Sequence, residues 1–154
     1  MKKENIIKYG IPVLSVVLVA LLGTIFTNMG MEWFESLNKP TSWLKNFIIP
    51  IVWSIIYSLF TIYLIYLVNK EKLGKKLFVL LVLNGIFNVL WCLIYFALNN
   101  LLGGQIIIIL NLILSILLIK EIFKTSKVWG YILLIYPAWL SIATSLNLAV
   151  WILN

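Results

Sequence analysis

Apolar residues dominate the chain from Ile6 to its last residues, broken at intervals by short polar clusters. The nearly charge-free runs cover residues 6–27, 47–68, 77–98, 101–119 and 128–153. Each is about long enough to cross a roughly 30 Å hydrocarbon core at 1.5 Å per residue. A bilayer offers no water to backbone amides, and no edge-free barrel pattern is present, so these runs must be helices. The pattern therefore predicts an all-α, integral-membrane bundle of five transmembrane helices, folded as a single domain over residues 1–154. A signal peptide would have a shorter apolar core, about 7–15 residues, and a small-residue cleavage site. The first run lacks such a site and is read as a span. Pro12 sits near its start, where a missing N–H does little harm.

Most of the breaks are simple connections: Asn69-Lys70-Glu71-Lys72 with Gly74-Lys75-Lys76, then Asn99-Asn100, then Lys120 to Lys127. The break at 28–46 is different. From Trp33 to Trp53 the chain carries three tryptophans (Trp33, Trp43 and Trp53) together with Pro40 and Pro50. Long loops in compact proteins are usually binding loops, lids or linkers, and this aromatic content argues against disorder. Two readings stand at this point. The loop covers a ligand cavity, or its rings form an interfacial belt at headgroup level.

Helical periodicity shows where polarity points. At 100° per residue, Asn84, Asn88, Trp91 and Tyr95 fall within about a 60° wedge of the third span. Amides gathered on one stripe belong inside the bundle, either bonding between helices or contacting a ligand. Trp53, Tyr57, Phe60 and Leu64 form a similar stripe on the second span. On the fifth, Tyr136, Trp139, Ala143 and Leu146 align, with Asn147 on the flank. Ala143 beside two aromatic residues leaves room for a flat molecule. Asn111 and Ser115 on the fourth span are most simply structural.

Composition narrows the chemistry. The chain is 63% hydrophobic and 11% charged, against about a quarter charged in soluble domains. It has no His, Asp or Arg and a single Cys, Cys92. That removes most hydrolytic, zinc and haem-ligating chemistry, and an internal disulfide with it. No metal site is expected, and an iron axial ligand would have to be Tyr, Met or Cys92. The net charge of +7 does not point to nucleic acid, because every positive charge is a lysine near a span end. Ten of the twelve lysines fall on the side of the N-terminus and of the 2–3 and 4–5 connections. The positive-inside rule then places the N-terminus in the cytoplasm, with loop 28–46 and the C-terminus outside. Beyond Lys8 at the start of the first, the spans carry no formal charge, which disfavours an ion-coupled transporter.

Three segments in order resemble the TspO/MBR family, the tryptophan-rich sensory proteins related to the mitochondrial translocator protein. The first is Trp33-Phe34-x-x-Leu37-x-Lys39-Pro40, with Trp53 thirteen residues after the proline. The second is Leu83-Asn84 with Asn88 and Trp91. The third is Ala138-Trp139-x-x-x-Ala143-Thr144-x-Leu146-Asn147, followed by Trp151 and Asn154. The resemblance spans essentially the whole chain. It implies a five-helix bundle, commonly a homodimer, in a bacterial plasma membrane, with a pocket beneath the 1–2 loop. That pocket would take porphyrins, haem-like tetrapyrroles and benzodiazepine-type ligands. Porphyrin or haem would be a ligand, and no cofactor would be required.

Carried over by residue, the resemblance makes Trp53 and Trp139 pocket tryptophans, Asn84 and Asn88 the polar wall, and Ala143 the small wall position. It puts Trp33, Phe34, Leu37 and Pro40 on the covering side; the helical stripes add Trp91 and Asn147. The chain departs from the family where Trp43 stands three residues after Pro40 and is followed by Leu44-Lys45 rather than a proline pair. At the positions of the eukaryotic cholesterol-recognition segment it has Leu148 and Ile152, so cholesterol handling is not implied. The expected function is a sensor, carrier or scavenger of tetrapyrroles. The alternative is oxidative porphyrin breakdown with Trp53 and Trp139 as redox participants.

Overall fold

The computed structural model describes residues 6–40, 45 and 47–154. Lys2, Lys3, Trp43 and Leu44, which entered the charge and loop arguments above, lie outside the described residues. Among those described, every regular element is helical. A π-helical turn at Ile6–Gly10 leads into α1 (Ile11–Met29), followed by α2 (Met31–Ser36) and α3 (Ile48–Asn69). Next come α4 (Lys75–Cys92), prolonged by a second π-helical turn at Leu93–Ala97, and α5 (Leu101–Thr125). The chain closes with α6 (Lys127–Ile132) and α7 (Ile135–Leu153). Five helical stretches are long and apolar enough to span a membrane: Lys8–Met29, Ile48–Asn69, Lys75–Ala97, Leu101–Thr125 and Lys127–Leu153.

The outer faces are apolar, as a lipid solvent requires. Leu14, Leu18, Leu21 and Ile25 of α1 are all exposed, as are Ile106, Ile109, Ile113 and Leu117 of α5. The interior has two parts. Toward one end, Tyr63, Leu67, Leu77, Leu80, Leu118, Ile122 and Leu133 pack closely. Toward the other, the core is built around five rings: Trp91, Tyr95, Phe96, Tyr136 and Trp139. Two sets of contacts define the ends. Lys76 Nζ pairs with Glu121 at 3.1 Å and Lys72 Nζ donates to the Thr125 carbonyl at 3.5 Å, joining the 2–3 and 4–5 connections. At the far end Asn38 and Asn154 bond to each other. Successive spans therefore alternate in direction.

The elements differ from the sequence pattern in three places, each with a local cause. Loop 28–46 is not wholly irregular: Met31–Ser36 forms α2, with Glu32 in its first turn, where the helix dipole favours an acid. The break between α1 and α2 falls at Gly30, which is buried against the second π-helical turn. A Cβ there would collide with the carbonyl of Phe96. The fourth span runs on past 119 to Thr125, because Lys and Glu are good helix formers and Lys124 bonds Glu121 at 3.0 Å. Ser126 ends it and caps α6 through its hydroxyl. The fifth span breaks at Leu133 and Leu134. Pro137 has no N–H to reach the Leu133 carbonyl four residues back, and its ring would clash there. The Tyr136 N–H takes that carbonyl instead, at 3.0 Å. Between the third and fourth spans, Asn99 adopts φ 53° and the Asn100 side chain accepts from the Gly103 N–H at 2.8 Å. Two residues thus suffice to reverse the chain.

Gly30 and Gly74 give a paired test. Gly30→Ala should destabilise the fold by about 1–3 kcal/mol, since backbone rather than a movable side chain blocks the new methyl. Gly74 has open space around its Cβ position, and Gly74→Ala should leave thermal unfolding in detergent nearly unchanged. Equal melting of the two variants would show that the α1–α2 junction is not tightly seated.

Candidate ligand cavity

At the end of the bundle bearing α2, a cavity of about 760 Å³ lies between α1, α3, α4 and α7. Its size falls within the range of small-molecule and cofactor sites. The helical periods of the separate spans supply the walls. From α3 come Trp53 and Tyr57, from α4 Asn88 and Trp91, and from α7 Trp139, Ala143 and Asn147. The second π-helical turn adds Tyr95 and Phe96. Such turns shift a helix's register, and here one turns two successive rings inward.

The rings form a continuous wall. Trp53 stacks on Tyr57 with centroids 5.5 Å apart and on Trp91 at 6.4 Å. Trp91 in turn lies 6.0 Å from Tyr95 and 5.7 Å from Phe96. From α2, Phe34 closes one end against Tyr95 at 6.0 Å and Phe96 at 5.2 Å.

Polar groups in this wall divide into two sets. Some are satisfied within the protein: Tyr57 OH donates to Asn88 Oδ1 at 3.3 Å, and Thr24 and Ser54 donate to carbonyls of their own helices. Others are buried without a hydrogen-bond partner among the described residues, namely Trp91 Nε1, Tyr95 OH, Trp139 Nε1 and Asn147 Nδ2. All four can donate, and all four belong to cavity-lining residues. A buried donor left unpaired costs roughly 1–3 kcal/mol, so a molecule bringing acceptors to this wall gains more than it would in water. Neighbouring side chains cover these atoms, so pairing with them requires a small shift of the wall.

Of the residues expected to meet a ligand, Phe34, Trp53, Asn88, Trp91, Trp139, Ala143 and Asn147 line this one cavity. The other four do not. Trp33 packs edge-on against Tyr95 at 6.2 Å. Leu37 ends α2 and gives its carbonyl to Lys39 Nζ at 3.3 Å, and Pro40 follows as a half-buried residue. Asn84, buried at 4% exposure, donates to the Leu80 carbonyl and borders a separate groove nearer the other end. One turn of helix separates it from Asn88, enough to carry it past the cavity floor.

The first span also contributes, although the sequence reading assigned it no site residue. Ala20, Gly23, Thr24 and Thr27 form one face of α1 against the cavity. Their spacing of three and four, with small side chains, was the available signal. Lys39, part of the first family-like segment but given no site role there, also lines the cavity. Its ammonium lies 4.6 Å from the centre of the Phe34 ring and donates to the carbonyls of Phe34 (2.7 Å) and Glu35 (3.2 Å). A cation here suits the unsatisfied carbonyl end of α2.

The sequence model describing the TspO/MBR family matches residues 12–152, nearly the whole chain. This protein belongs to the TspO/MBR family. Among its relatives, the tryptophan-rich protein TspO of Archaeoglobus fulgidus is 31% identical over 157 residues, covering 97% of this chain and 99% of that one. Protein CrtK of Rhodobacter capsulatus is 33% identical over 127 residues, covering 79% of this chain and 78% of its own. A tryptophan-rich protein TspO of Bacillus cereus is 28% identical across 100% of this chain and 99% of that one. The family and the five apolar helices together make this an integral membrane protein.

The covering segment is tied to the end of α7 chiefly by the Asn154 side chain, with a longer bond from Asn38 Nδ2 to the Leu153 carbonyl at 3.5 Å. Asn154 Oδ1 accepts from the Asn38 N–H and Asn154 Nδ2 donates to the Asn38 carbonyl, both at 2.9 Å, as a neighbouring strand would. Asn154→Ala removes this clasp. Hydrogen exchange at the Asn38 amide should quicken about tenfold, the loss of one to two net hydrogen bonds. Unchanged exchange would mean that the Asn154 clasp does not hold the segment.

Proposed function

We propose that this TspO/MBR protein binds a flat, mostly apolar ring system carrying peripheral acceptors, of which a porphyrin or another tetrapyrrole is the best fit. One observation carries this reading: a wall of stacked aromatic rings that also contains four buried donors without partners. Ring faces attract the macrocycle by dispersion and by offset stacking. The indole, phenol and amide donors suit carboxylate or carbonyl oxygens at its edge, and Lys39 at the covered end adds a positive charge. Benzodiazepine-type molecules, flat and acceptor-bearing, suit the same wall. Binding of this kind serves a sensor, carrier or scavenger, with the lysine-rich end of the bundle facing the cytoplasm by the positive-inside rule.

A second reading is oxidative breakdown of the bound porphyrin. The chain of oxidisable rings from Trp53 through Trp91 to Tyr95, with steps of 6.4 and 6.0 Å, is the feature that favours it. Trp53 and Trp139 would then be the residues nearest the chemistry.

Titration of the purified protein with protoporphyrin should quench tryptophan fluorescence saturably. Ala143→Phe, which fills the cavity from a small wall position, should weaken binding at least tenfold. Trp139→Phe keeps an aromatic ring, though a smaller one, but loses the donor, and should weaken it less, by about three- to tenfold. Quenching that survives Ala143→Phe unchanged would place the ligand elsewhere. Parallel incubations in light and in darkness separate the two readings: product formed in darkness with an added oxidant supports an enzyme, and intact porphyrin in darkness supports binding alone.

A further inference from the structure

A second hollow, a groove of about 510 Å³, opens on the other side of Trp53, Tyr57 and Asn88. It runs between α1, α3 and α4 toward the lysine-rich end and is lined almost entirely by carbon. Its α1 edge is the stripe Ile11, Ser15, Leu18 and Leu22, and its α4 edge is Phe78, Val82 and Gly85. From Ile11 to Leu22 the groove extends about 17 Å at 1.5 Å per residue. That is close to the depth of one leaflet, half of a roughly 30 Å hydrocarbon core.

Both stripes end in a lysine. Lys8 precedes Ile11 by three residues on the π-helical turn that leads into α1. Lys75, the first residue of α4, precedes Phe78 by three and lies on the same face. The connection beside them adds Lys70 and Lys72 against one acid, Glu71. An apolar slot of leaflet depth, whose two edge helices each have a lysine three residues before the stripe, complements one kind of molecule, an acidic amphiphile oriented along the membrane normal.

We propose that the groove between α1, α3 and α4 is a binding site for an anionic glycerophospholipid. One acyl chain lies in the slot, and the phosphate sits between Lys8 and Lys75. The lipid comes from the leaflet at the lysine-rich end. Trp53, Tyr57 and Asn88 border both hollows, but Val82, Lys8 and Lys75 do not line the larger cavity, so variants at these three test the groove separately from the tetrapyrrole reading.

The full chain, purified in mild detergent, is mixed with equal amounts of dioleoylphosphatidylglycerol and dioleoylphosphatidylcholine, and retained lipid is counted by native mass spectrometry. One phosphatidylglycerol per chain should be held in preference to phosphatidylcholine. The double variant Lys8→Gln/Lys75→Gln should reduce that preference by about twenty-five-fold, roughly fivefold per lysine. Val82→Trp, from a lipid-facing position, should lower retention of both lipids without changing helical content. Equal retention of the two lipids by the native chain overturns the proposal, as does full retention by Val82→Trp. So does a Val82→Trp variant that splits a dimer of this chain while holding lipid normally, which would make the groove a contact between copies. A phosphatidylglycerol with a photoreactive acyl chain tests the native protein directly. It should label α1 and α4 around Leu18 and Val82; labelling spread evenly onto Ile109 and Ile113 of α5 overturns the site.

Discussion

Aromatic side chains hold helix α3 at a distance from α4, and both hollows in the molecule follow from that spacing. Along its length α3 approaches the backbone of α1 and touches α7 only lightly. Toward α4 the space is filled by Trp53, Tyr57 and Phe60, whose rings are too large to allow close helix packing. Close packing is recovered where these rings meet their neighbours: Trp53 on Trp91, and Phe60 edge-on to Tyr136 at 5.2 Å. That layer forms a waist. On one side of it lies the candidate ligand cavity and on the other the apolar groove, with Trp53, Tyr57 and Asn88 lining both. Small residues at the α3 positions would bring the helices together and remove both spaces at once.

The waist also explains why polar side chains are tolerated so deep in an apolar bundle. In hydrocarbon an amide must find a partner inside the protein. Asn111, away from the cavity, receives the Tyr136 hydroxyl at 3.4 Å, and the Ser115 hydroxyl donates to the Leu112 carbonyl at 2.7 Å. These are interhelical or local bonds that hold the bundle. Asn88 does the same work at the waist by accepting from Tyr57. Asn147 and Trp139, one helical face further along, leave their donors unpaired. Amides on similar stripes thus divide between structural bonding and a wall suited to a ligand. The division follows which of them faces a neighbouring tyrosine hydroxyl.

Much of this was legible in the sequence because a bilayer constrains it so severely. Run length alone gave five spans, and a 100° rotation per residue put Asn88, Trp91, Trp139 and Ala143 on inward faces. What one-dimensional periodicity lacks is the height at which facing stripes meet. Asn84 and Asn88 share a stripe, yet one turn separates their surroundings, and the stripe does not say which side of the waist each occupies. The helix in loop 28–46 was hidden by the tryptophans and prolines around it, although Glu32 after Gly30 was a start signal. The roles of Lys39 and Asn154 depend on the fold bringing α2 and the end of α7 together. Asn154 and Asn38 are 116 residues apart, and no local pattern connects them.

The covering segment is fastened by two unlike means, and their difference bears on how a ligand would enter. The Asn38–Asn154 clasp and the Lys39 bonds lie in exposed or half-exposed positions. Water replaces such bonds readily, so each contributes only about 1 kcal/mol net. The Phe34 ring, set between Tyr95 and Phe96, must instead leave an apolar seat and take its area with it, at about 1.5–3 kcal/mol if fully exposed. Opening toward the aqueous end therefore involves several modest terms that are lost together, because Lys39 touches both the ring and the carbonyls behind it. A flat apolar molecule arriving from the membrane meets a different barrier, the Trp53–Tyr57–Asn88 waist, where a single hydrogen bond of 3.3 Å and two stacked rings separate groove from cavity. Rings can slide and tilt in hydrocarbon without exposing apolar area to water. For a ligand that partitions into lipid, the side route is the less costly one on physical grounds.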